Sequence, residues 1–331
     1  MGEQMQALVF DGPAADASTT RVTTVDRPVP AAGQVAIAVQ YAGINFKDVM
    51  ARRGDPGYAP TWPHIPGLEV AGGVIAVGPG VKHVGPGDRV VALTNAGGLA
   101  EVTIADADLV APLPDSLDPA VAAVVPGALT TAELLVHDYA RIQPHDVIAV
   151  HSAAGAVGAA IAPLARLVGD VTLIGIVGST SRLESALQAG YDSAHVRGPG
   201  LVASVRDTVP GGADVVFDPQ GTASLDDDLE ILRPAGRIVL FGNAGGGQLG
   251  QLPATGRLYG GNAAIGGFSL AALSASDPAR VRTAIARVVD HLAAGRLAVQ
   301  PIVLDGLAAA PEAHQRLATG TGAGKYVVRL H

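Results

Sequence analysis

The 331-residue chain is 48% hydrophobic, which is comfortable for two domains that each bury a core. Its net charge of -8, with no basic cluster, argues against a nucleic-acid partner, and the absence of cysteine excludes disulfides and thiolate metal ligands. The opening MGEQMQALVF has neither a basic nor an apolar leader region, and Gln6 stands where a myristoylation signal needs Ser or Thr, so a cytoplasmic protein with no membrane partner is expected.

From Met5 to about Val39 the pattern is β: MQALVF, RVTTVDRPVP and QVAIAVQYAGI alternate, punctuated by Pro28, Pro30 and Gly33. Gly67 to Leu93 continues in short strands, with turn chemistry at Pro79-Gly80 and Pro86-Gly87-Asp88. Asp118-Pro119 opens a helical stretch with an N-cap residue and a first-turn proline, and Gly127 to Tyr139 reads as a second helix.

Val147 to Val150 is the continuous apolar run of a strand buried on both faces, and His151-Ser152 marks its polar end. Ala153, Gly155 and Gly158 then form an A-x-G-x-x-G variant of the dinucleotide fingerprint. Ala153 sits at the turn, Gly155 lets the backbone approach a pyrophosphate, and Gly158 lets the next helix close on the sheet. That helix, roughly Ala156 to Leu167, aims the amino-terminal N–H groups around Ala156 and Val157 at phosphates. Val147 to Ala165 carries no formal charge, but His151, Ser152 and Pro163 fit a strand, turn and helix and do not fit a membrane span. Further strands at Val171–Val177, Ala213–Asp218 and Arg237–Gly242 extend the alternation into a doubly wound parallel sheet. The pattern places this second domain at residues 122–265. In the tail, Val281, Ile285, Val288 and Leu292 mark an amphipathic helix over Asp277–Leu292, and strand-like segments at Ile302 and Tyr326 return to the amino-terminal domain, which spans residues 1–121 and 266–331.

The segments AGINFKD, GLEVAG, GPGDRV, VHSAAGAVG and FGNAGG, in that order over essentially the whole chain, resemble the zinc-free quinone oxidoreductase branch of the medium-chain dehydrogenase/reductases. NFKDVM is also similar to the enoyl reductase domains of polyketide synthases. The resemblance implies an α/β protein with a β-rich GroES-like catalytic domain and a Rossmann domain, an active site in the cleft between them, and a homodimer, with Gly260 to Ser269 pairing across its axis. Zinc members of the superfamily carry a cysteine ligand where Asn45 stands, a histidine ligand where Leu68 stands, and a four-cysteine lobe after the GDRV turn, where this chain runs on as VVALTNAGG. No metal is expected. His64 and Glu69 are ligand types that could form part of a different site, or a loop histidine and a hydrogen-bonded carboxylate.

An NAD-specific site offers a carboxylate roughly 20 residues past the glycine turn. Here Gly178-Ser179-Thr180 and then Arg182 stand there, with no acid to repel a 2′-phosphate, so NADPH is the expected cofactor. Arg197 replaces a tyrosine of the family pattern and is a second candidate for the phosphate, or an ordinary solvated side chain. By resemblance, Asn45 meets the nicotinamide ribose or the substrate carbonyl, Thr130 lies near the nicotinamide, and Phe241, Gly242 and Asn243 form a turn at the carboxyl edge. Lys325 either reaches the cofactor or is a surface lysine before the last strand.

With neither a zinc nor a flavin motif, hydride must pass directly from the nicotinamide to a polarised small-molecule acceptor, which suits quinones and α,β-unsaturated carbonyls. Asn45 and Tyr58 are the catalytic candidates, Tyr58 as the proton donor, because its loop occupies the place of an active-site tyrosine in related enoyl reductases. Tyr41, Trp62, Tyr259 and Phe268 are candidates to line the pocket. Lys47 and Asp48 are read as a pair at the start of a helix. The alternatives to a quinone or enone reductase are an enoyl-thioester reductase, for whose carrier Arg52-Arg53 is the obvious basic patch, a non-catalytic NADPH-binding sensor, and an enzyme using the fold for another reaction such as cyclisation.

Overall fold

The computed structural model describes residues 2–246, 248–322 and 324–331. In chain order its strands are β1 (Gln4–Phe10), β2 (Thr20–Asp26), β3 (Gln34–Gly43), β4 (Glu69–Val77), β5 (Arg89–Leu93), β6 (Val102–Asp106) and β7 (Val110–Pro112). They continue as β8 (Val147–His151), β9 (Thr172–Val177), β10 (Ser193–Val196), β11 (Ala213–Asp218), β12 (Leu232–Leu240), β13 (Ala264–Gly267), β14 (Ile302–Asp305) and β15 (Tyr326–Arg329). The chain forms two compact units, Met1–Thr130 with Leu270–His331, and Thr131–Ser269.

The first unit is the β-rich one. Its long strand β3 pairs antiparallel with β4, β6 and β15, and among the described residues the sheet runs β14-β15-β3-β4-β5-β7 with β6 on β3. Leu8, Phe10, Ile37, Val39, Val70, Val90, Val110 and Val328 share one core, which is why the alternating strands of the amino-terminal segment fold as read. The carboxyl-terminal strand closes this same sheet: Val327 lies opposite Gly43 and Val328 opposite Ala42. The tail therefore returns to the first unit as its pattern indicates. The amphipathic helix spans Pro278–Ala293 with Asp277 as its N-cap, and Val281, Ile285, Val288 and Leu292 are buried.

The second unit is built on a parallel sheet in the order β10-β9-β8-β11-β12-β13. This is the doubly wound order, and its strand sequence reverses between β8 and β11, where ligands of such sheets bind at the carboxyl ends. The βα alternation runs through β13 as far as Gly267, past the limit read from the sequence. The predicted Gly127–Tyr139 helix begins earlier and is uneven: an α-helical turn at Thr130–Leu134 is flanked by π-helical turns at Val125–Leu129 and Leu135–Tyr139. Among the described residues no helix is long and apolar enough to cross a membrane.

Candidate active site

In the second unit the glycine turn is built as its residues dictate. Ser152 follows β8 with φ +55, Ala153 is fully buried with its N–H on the Ile176 carbonyl, and the Gly155 N–H returns to the Ser152 carbonyl at 2.8 Å. Gly155 caps the Ala156–Val168 helix in an extended conformation, leaving first-turn N–H groups, those of Ala156, Val157 and Gly158, without intrahelical acceptors. A Cβ on Gly158 would stand 2.4 Å from the Ser152 carbonyl oxygen and 2.8 Å from Ala153 Cα, so only glycine lets the helix pass this close to the strand end. A Cβ on Gly155 would meet the same oxygen at 3.1 Å, a tighter contact than usual but one that a small shift relieves.

The end of β9 lies beside this turn. Arg182 Nη2 donates to the Ala154 carbonyl at 3.0 Å, tying the residue expected at the 2′-phosphate to the phosphate turn itself. Ser179 is exposed, with its Oγ 2.9 Å from Ser181 Oγ. Arg197, after β10, lies across the carboxyl edge of the sheet: its Nη1 donates to Gln220 Oε1 at 2.8 Å, and Gln220 Nε2 donates to Ser152 Oγ at 2.8 Å. The half-buried Arg197 is therefore not an ordinary solvated arginine. Phe241, Gly242 and Asn243 follow β12, where the Phe241 N–H bonds the Asp218 carbonyl and a Cβ on Gly242 would meet the Pro219 carbonyl at 2.9 Å.

In the first unit a different cluster forms around Asn45, the residue that opens the Phe46–Arg53 helix. Lys325, just ahead of β15, is 7% exposed and is not a surface lysine. Its Nζ donates to the Ile44 carbonyl at 2.8 Å and to Asn45 Oδ1 at 2.6 Å, and stands 2.5 Å from Glu69 Oε1. Asn45 Nδ2 donates in turn to Glu69 Oε1 at 2.9 Å and to the Gly43 carbonyl at 3.2 Å. The other Glu69 oxygen accepts from the Gly127 and Ala128 N–H groups at 2.7 and 3.4 Å. These donors and acceptors fix the amide's orientation. Both amide hydrogens are used, so Asn45 has none left for a substrate carbonyl. What it can still offer is the second lone pair of Oδ1.

Asp48 holds this corner together. Its carboxylate accepts from the Asn45 N–H at 2.8 Å and from the Gly67 N–H at 3.0 Å. Burial alone would raise its pKa, but His314 and those two N–H groups outweigh it and hold the carboxyl below the ordinary range. Lys47 does not pair with Asp48: its ammonium donates to the Asn95 carbonyl at 2.9 Å, and burial lowers its pKa.

The remaining candidates are scattered. Tyr58 and Trp62 pack on the first unit's core, and burial followed by the Asp55 charge raises the Tyr58 hydroxyl. Tyr58 takes no part in the bonded cluster of Asn45, Glu69 and Lys325. Tyr41 lies opposite Arg329 in the sheet. The Thr130 hydroxyl is spent on the Val125 carbonyl at 2.8 Å. In the second unit, Phe268 is buried edge-on to Tyr139 at 4.7 Å, whereas Tyr259 is 90% exposed and lines nothing within its unit. Arg52 is fully buried, its Nη2 on the Ala15 carbonyl and Gln315, and Arg53 pairs with Asp55 at 2.6 Å. The two arginines form no exposed basic patch, because the aliphatic stem and guanidinium of Arg52 fill space beneath the helix.

Residues 31–115 match the alcohol dehydrogenase GroES-like domain and residues 156–289 the zinc-binding dehydrogenase domain. The chain belongs to the medium-chain dehydrogenase/reductase superfamily. Within this superfamily it is 34% identical over 218 residues to the human synaptic vesicle membrane protein VAT-1 homolog, covering 66% of this chain and 55% of that protein. It is 33% identical over 307 residues to the pikromycin polyketide synthase component PikAII of Streptomyces venezuelae, covering 90% of this chain and 8% of that protein. The match spans about half the length of the VAT-1 homologs. Among solved structures, Escherichia coli quinone oxidoreductase complexed with NADPH superposes with a TM-score of 0.86 at 26% identity, over 98% of this chain and 99% of that one.

The zinc of this superfamily does not fit the donors present here. The chain has no cysteine, and Glu69 already holds an ammonium 2.5 Å away, against which a dication would be strongly repelled. His64 packs between Phe10 and Trp62 and does not join Glu69. Among the described residues no three His, Cys, Asp or Glu side chains gather as metal ligands. The superfamily's nucleotide does fit, because the cradle at Gly158 admits no side chain and the first-turn N–H groups face outward from it. The sequence alone gives no sign of the Gln220–Ser152 bond, which ties the ends of the central strands, or of Glu69 as the anchor of Asn45. The DPQG turn after β11 marks the place of Gln220 but not its partners.

Proposed function

We propose that this chain is an NADPH-dependent, zinc-independent oxidoreductase that reduces a quinone or an α,β-unsaturated carbonyl compound. The observation that carries the cofactor is the end of β9: a guanidinium bonded to the glycine turn, hydroxyls at Ser179 and Thr180, and no carboxylate from 178 to 182. A 2′-phosphate gains charge-assisted hydrogen bonds from Arg182 and Arg197, and NADH has nothing to offer them. The NADPH complex of the Escherichia coli quinone oxidoreductase supports the same choice.

NADPH, when bound, supplies a hydride; with one proton from the medium it reduces the acceptor by two electrons and leaves as NADP+. The chain's own residues do the rest. Gly155 and Gly158 admit the pyrophosphate, and the turn at Phe241–Asn243 borders it along the carboxyl edge. Asn45, locked by Lys325 and Glu69, accepts a hydrogen bond from a ribose hydroxyl through Oδ1. Tyr58, a phenol that is protonated at neutral pH, is the proton donor to the reduced acceptor. The edge strand β13, exposed at Ala264, Gly266 and Gly267, is the surface along which a second copy pairs to make a homodimer.

The match to a polyketide synthase component over 90% of the chain favours a second reading, reduction of an enoyl thioester. The loss of the Arg52-Arg53 patch speaks against a docked carrier. One experiment tests both: NADPH oxidation by chelator-treated protein offered a small quinone, an enone and an enoyl thioester in parallel, repeated with NADH. Quinone or enone turnover that survives the chelator and prefers NADPH is expected. A thioester preference selects the second reading. Preference for NADH, or activity that needs restored zinc, overturns the proposal.

A further inference from the structure

At the carboxyl edge of the parallel sheet one neutral side chain, Gln220, joins segments that follow three different strands. Its Oε1 accepts from Arg197 Nη1 at 2.8 Å, and its Nε2 donates to Ser152 Oγ at 2.8 Å. An arginine can only donate, so this pairing fixes which end of the amide faces which partner. The Gln220 backbone is pinned as well: its N–H donates to Asp218 Oδ1 at 2.6 Å, and its carbonyl accepts from the Gly245 N–H at 3.3 Å.

Arg197 is thereby held at both ends. Its backbone N–H donates to the Val177 carbonyl at 2.8 Å, where β9 ends just before Ser179, and its guanidinium is tied through Gln220 to Ser152. Arg182, beyond Ser179, donates to the Ala154 carbonyl at 3.0 Å. Two guanidinium groups are thus fastened by separate routes to residues 152–154 of the glycine turn. Among the described residues Arg197 forms no ion pair: Nη1 meets Gln220, Nε is buried without a partner, and Nη2 makes no bond. Nε and Nη2 are the side-on fork of the guanidinium, whose parallel N–H groups match two oxygens of one phosphate. Glutamine suits this arrangement where glutamate would not, because a neutral amide orients the cation and leaves its charge uncancelled.

We propose that Gln220 is a positioning residue for cofactor selection: it clamps Arg197 to Ser152 with the Nε–Nη2 fork open, so that the 2′-phosphate of the dinucleotide meets a cation already in place. The proposal rests on the NADPH reading and deepens it by naming the residue that aims one of the two cations. An unrestrained arginine loses rotamer freedom when it grips an anion, and a clamped one has lost it beforehand. NADH has no 2′-phosphate and gains nothing from the clamp.

The test is titration of the purified full chain with NADPH and with NADH, read as the ratio of the two dissociation constants in wild type, Gln220→Leu, Gln220→Glu, Arg197→Leu and the double variant Arg197→Leu with Gln220→Leu. Gln220→Leu is expected to lower the preference for NADPH by about 3–10-fold, the order expected when a binding side chain loses one orienting hydrogen bond. Gln220→Glu keeps the clamp but pairs the cation, and is expected to lower the preference further. In the Arg197→Leu background Gln220→Leu is expected to change the ratio no more, because no guanidinium is left to aim. Ser152→Ala, which breaks the clamp at its other end, is the second variant should Gln220→Leu fail to fold, with a loss of preference again expected. Equal loss of affinity for both nucleotides, as from a glutamine that only supports the fold, overturns the proposal, and so does a loss of preference that persists without Arg197. A wild-type preference for NADPH that the clamp variants leave intact overturns the role of Gln220 while the cofactor assignment stands. Wild type that does not prefer NADPH overturns the cofactor assignment and this proposal together.

Discussion

Lys325 Nζ stands 2.5 Å from Glu69 Oε1, with the two side chains 7% and 0% exposed. The pair fixes Asn45 from both sides, since the amide accepts from the ammonium and donates to the carboxylate. Breaking a buried pair leaves an uncompensated charge, whereas removing both partners does not. Lys325→Met is therefore expected to destabilise the fold by about 3–5 kcal/mol, and Lys325→Met with Glu69→Gln to recover most of it. Urea denaturation of the two singles and the double checks this; additive losses would show that the pair is not coupled.

The glycine turn makes an ordered prediction. Gly158→Ala puts a Cβ 2.4 Å from the Ser152 carbonyl oxygen, whereas Gly155→Ala puts one at 3.1 Å. The first must push the helix off the strand end and is expected to weaken NADPH binding by at least about tenfold, roughly 1.4 kcal/mol, with a smaller loss for the second. Fluorescence titration of the nicotinamide reads both. The reverse order would mean that the pyrophosphate does not sit on this turn.

Ser179→Asp places a carboxylate at the end of β9, where a ribose diol gains and a 2′-phosphate loses. The ratio of NADPH to NADH affinity should fall by about 10–100-fold, since charge repulsion replaces charge-assisted hydrogen bonds. The two dissociation constants measure it directly. An unchanged ratio would remove the end of β9 from cofactor selection.

Asp218, pushed up by burial and then by Asp228, contributes to the pH dependence of stability near neutrality. Its folded pKa, about 7, lies above the ordinary 3.8, so the folded state binds the extra proton between those values. Stability from this group is complete below the lower value, falls as pH rises toward 7, and is level above it. Burial is the first cause of the raised pKa and Asp228 the second, so Asp228→Asn should shrink the fall between pH 5 and pH 8 only in part, by on the order of 1 kcal/mol relative to wild type. Chemical denaturation at the two pH values decides; an equal fall in the variant would place the neutral proton elsewhere.

Much of the second unit was legible because its signals are local. The apolar run at Val147–Val150, the small residues of the turn and the apolar strands that follow are each read within a dozen residues, and the parallel sheet obeys them. The tail helix was equally plain from its spacing, and Asp277 caps it by its own side chain. The uneven helix at Val125–Tyr139 was not legible, since the Thr130 hydroxyl and the Val125 carbonyl make the same local letters compatible with an ordinary turn. Side-chain roles were harder still. Arg52 reads as a surface charge and is buried; Lys325 reads equally well as exposed or as a ligand, and is an internal counter-ion.

By itself the sequence determined the alternation of strands and helices, the glycine turn that suits a phosphate, the missing acid after β9 and the want of thiolate ligands. These are properties of adjacent residues and of composition. Tertiary structure alone decided what the ionisable groups do. Asn45 and Lys325 are 280 residues apart in the chain and meet because β15 pairs with β3. His151, Asp218 and Asp228 meet because a parallel sheet brings the ends of β8 and β11 side by side under one helix. A charge's role depends on what it faces and how much water it keeps, and both are set by contacts that no local pattern encodes.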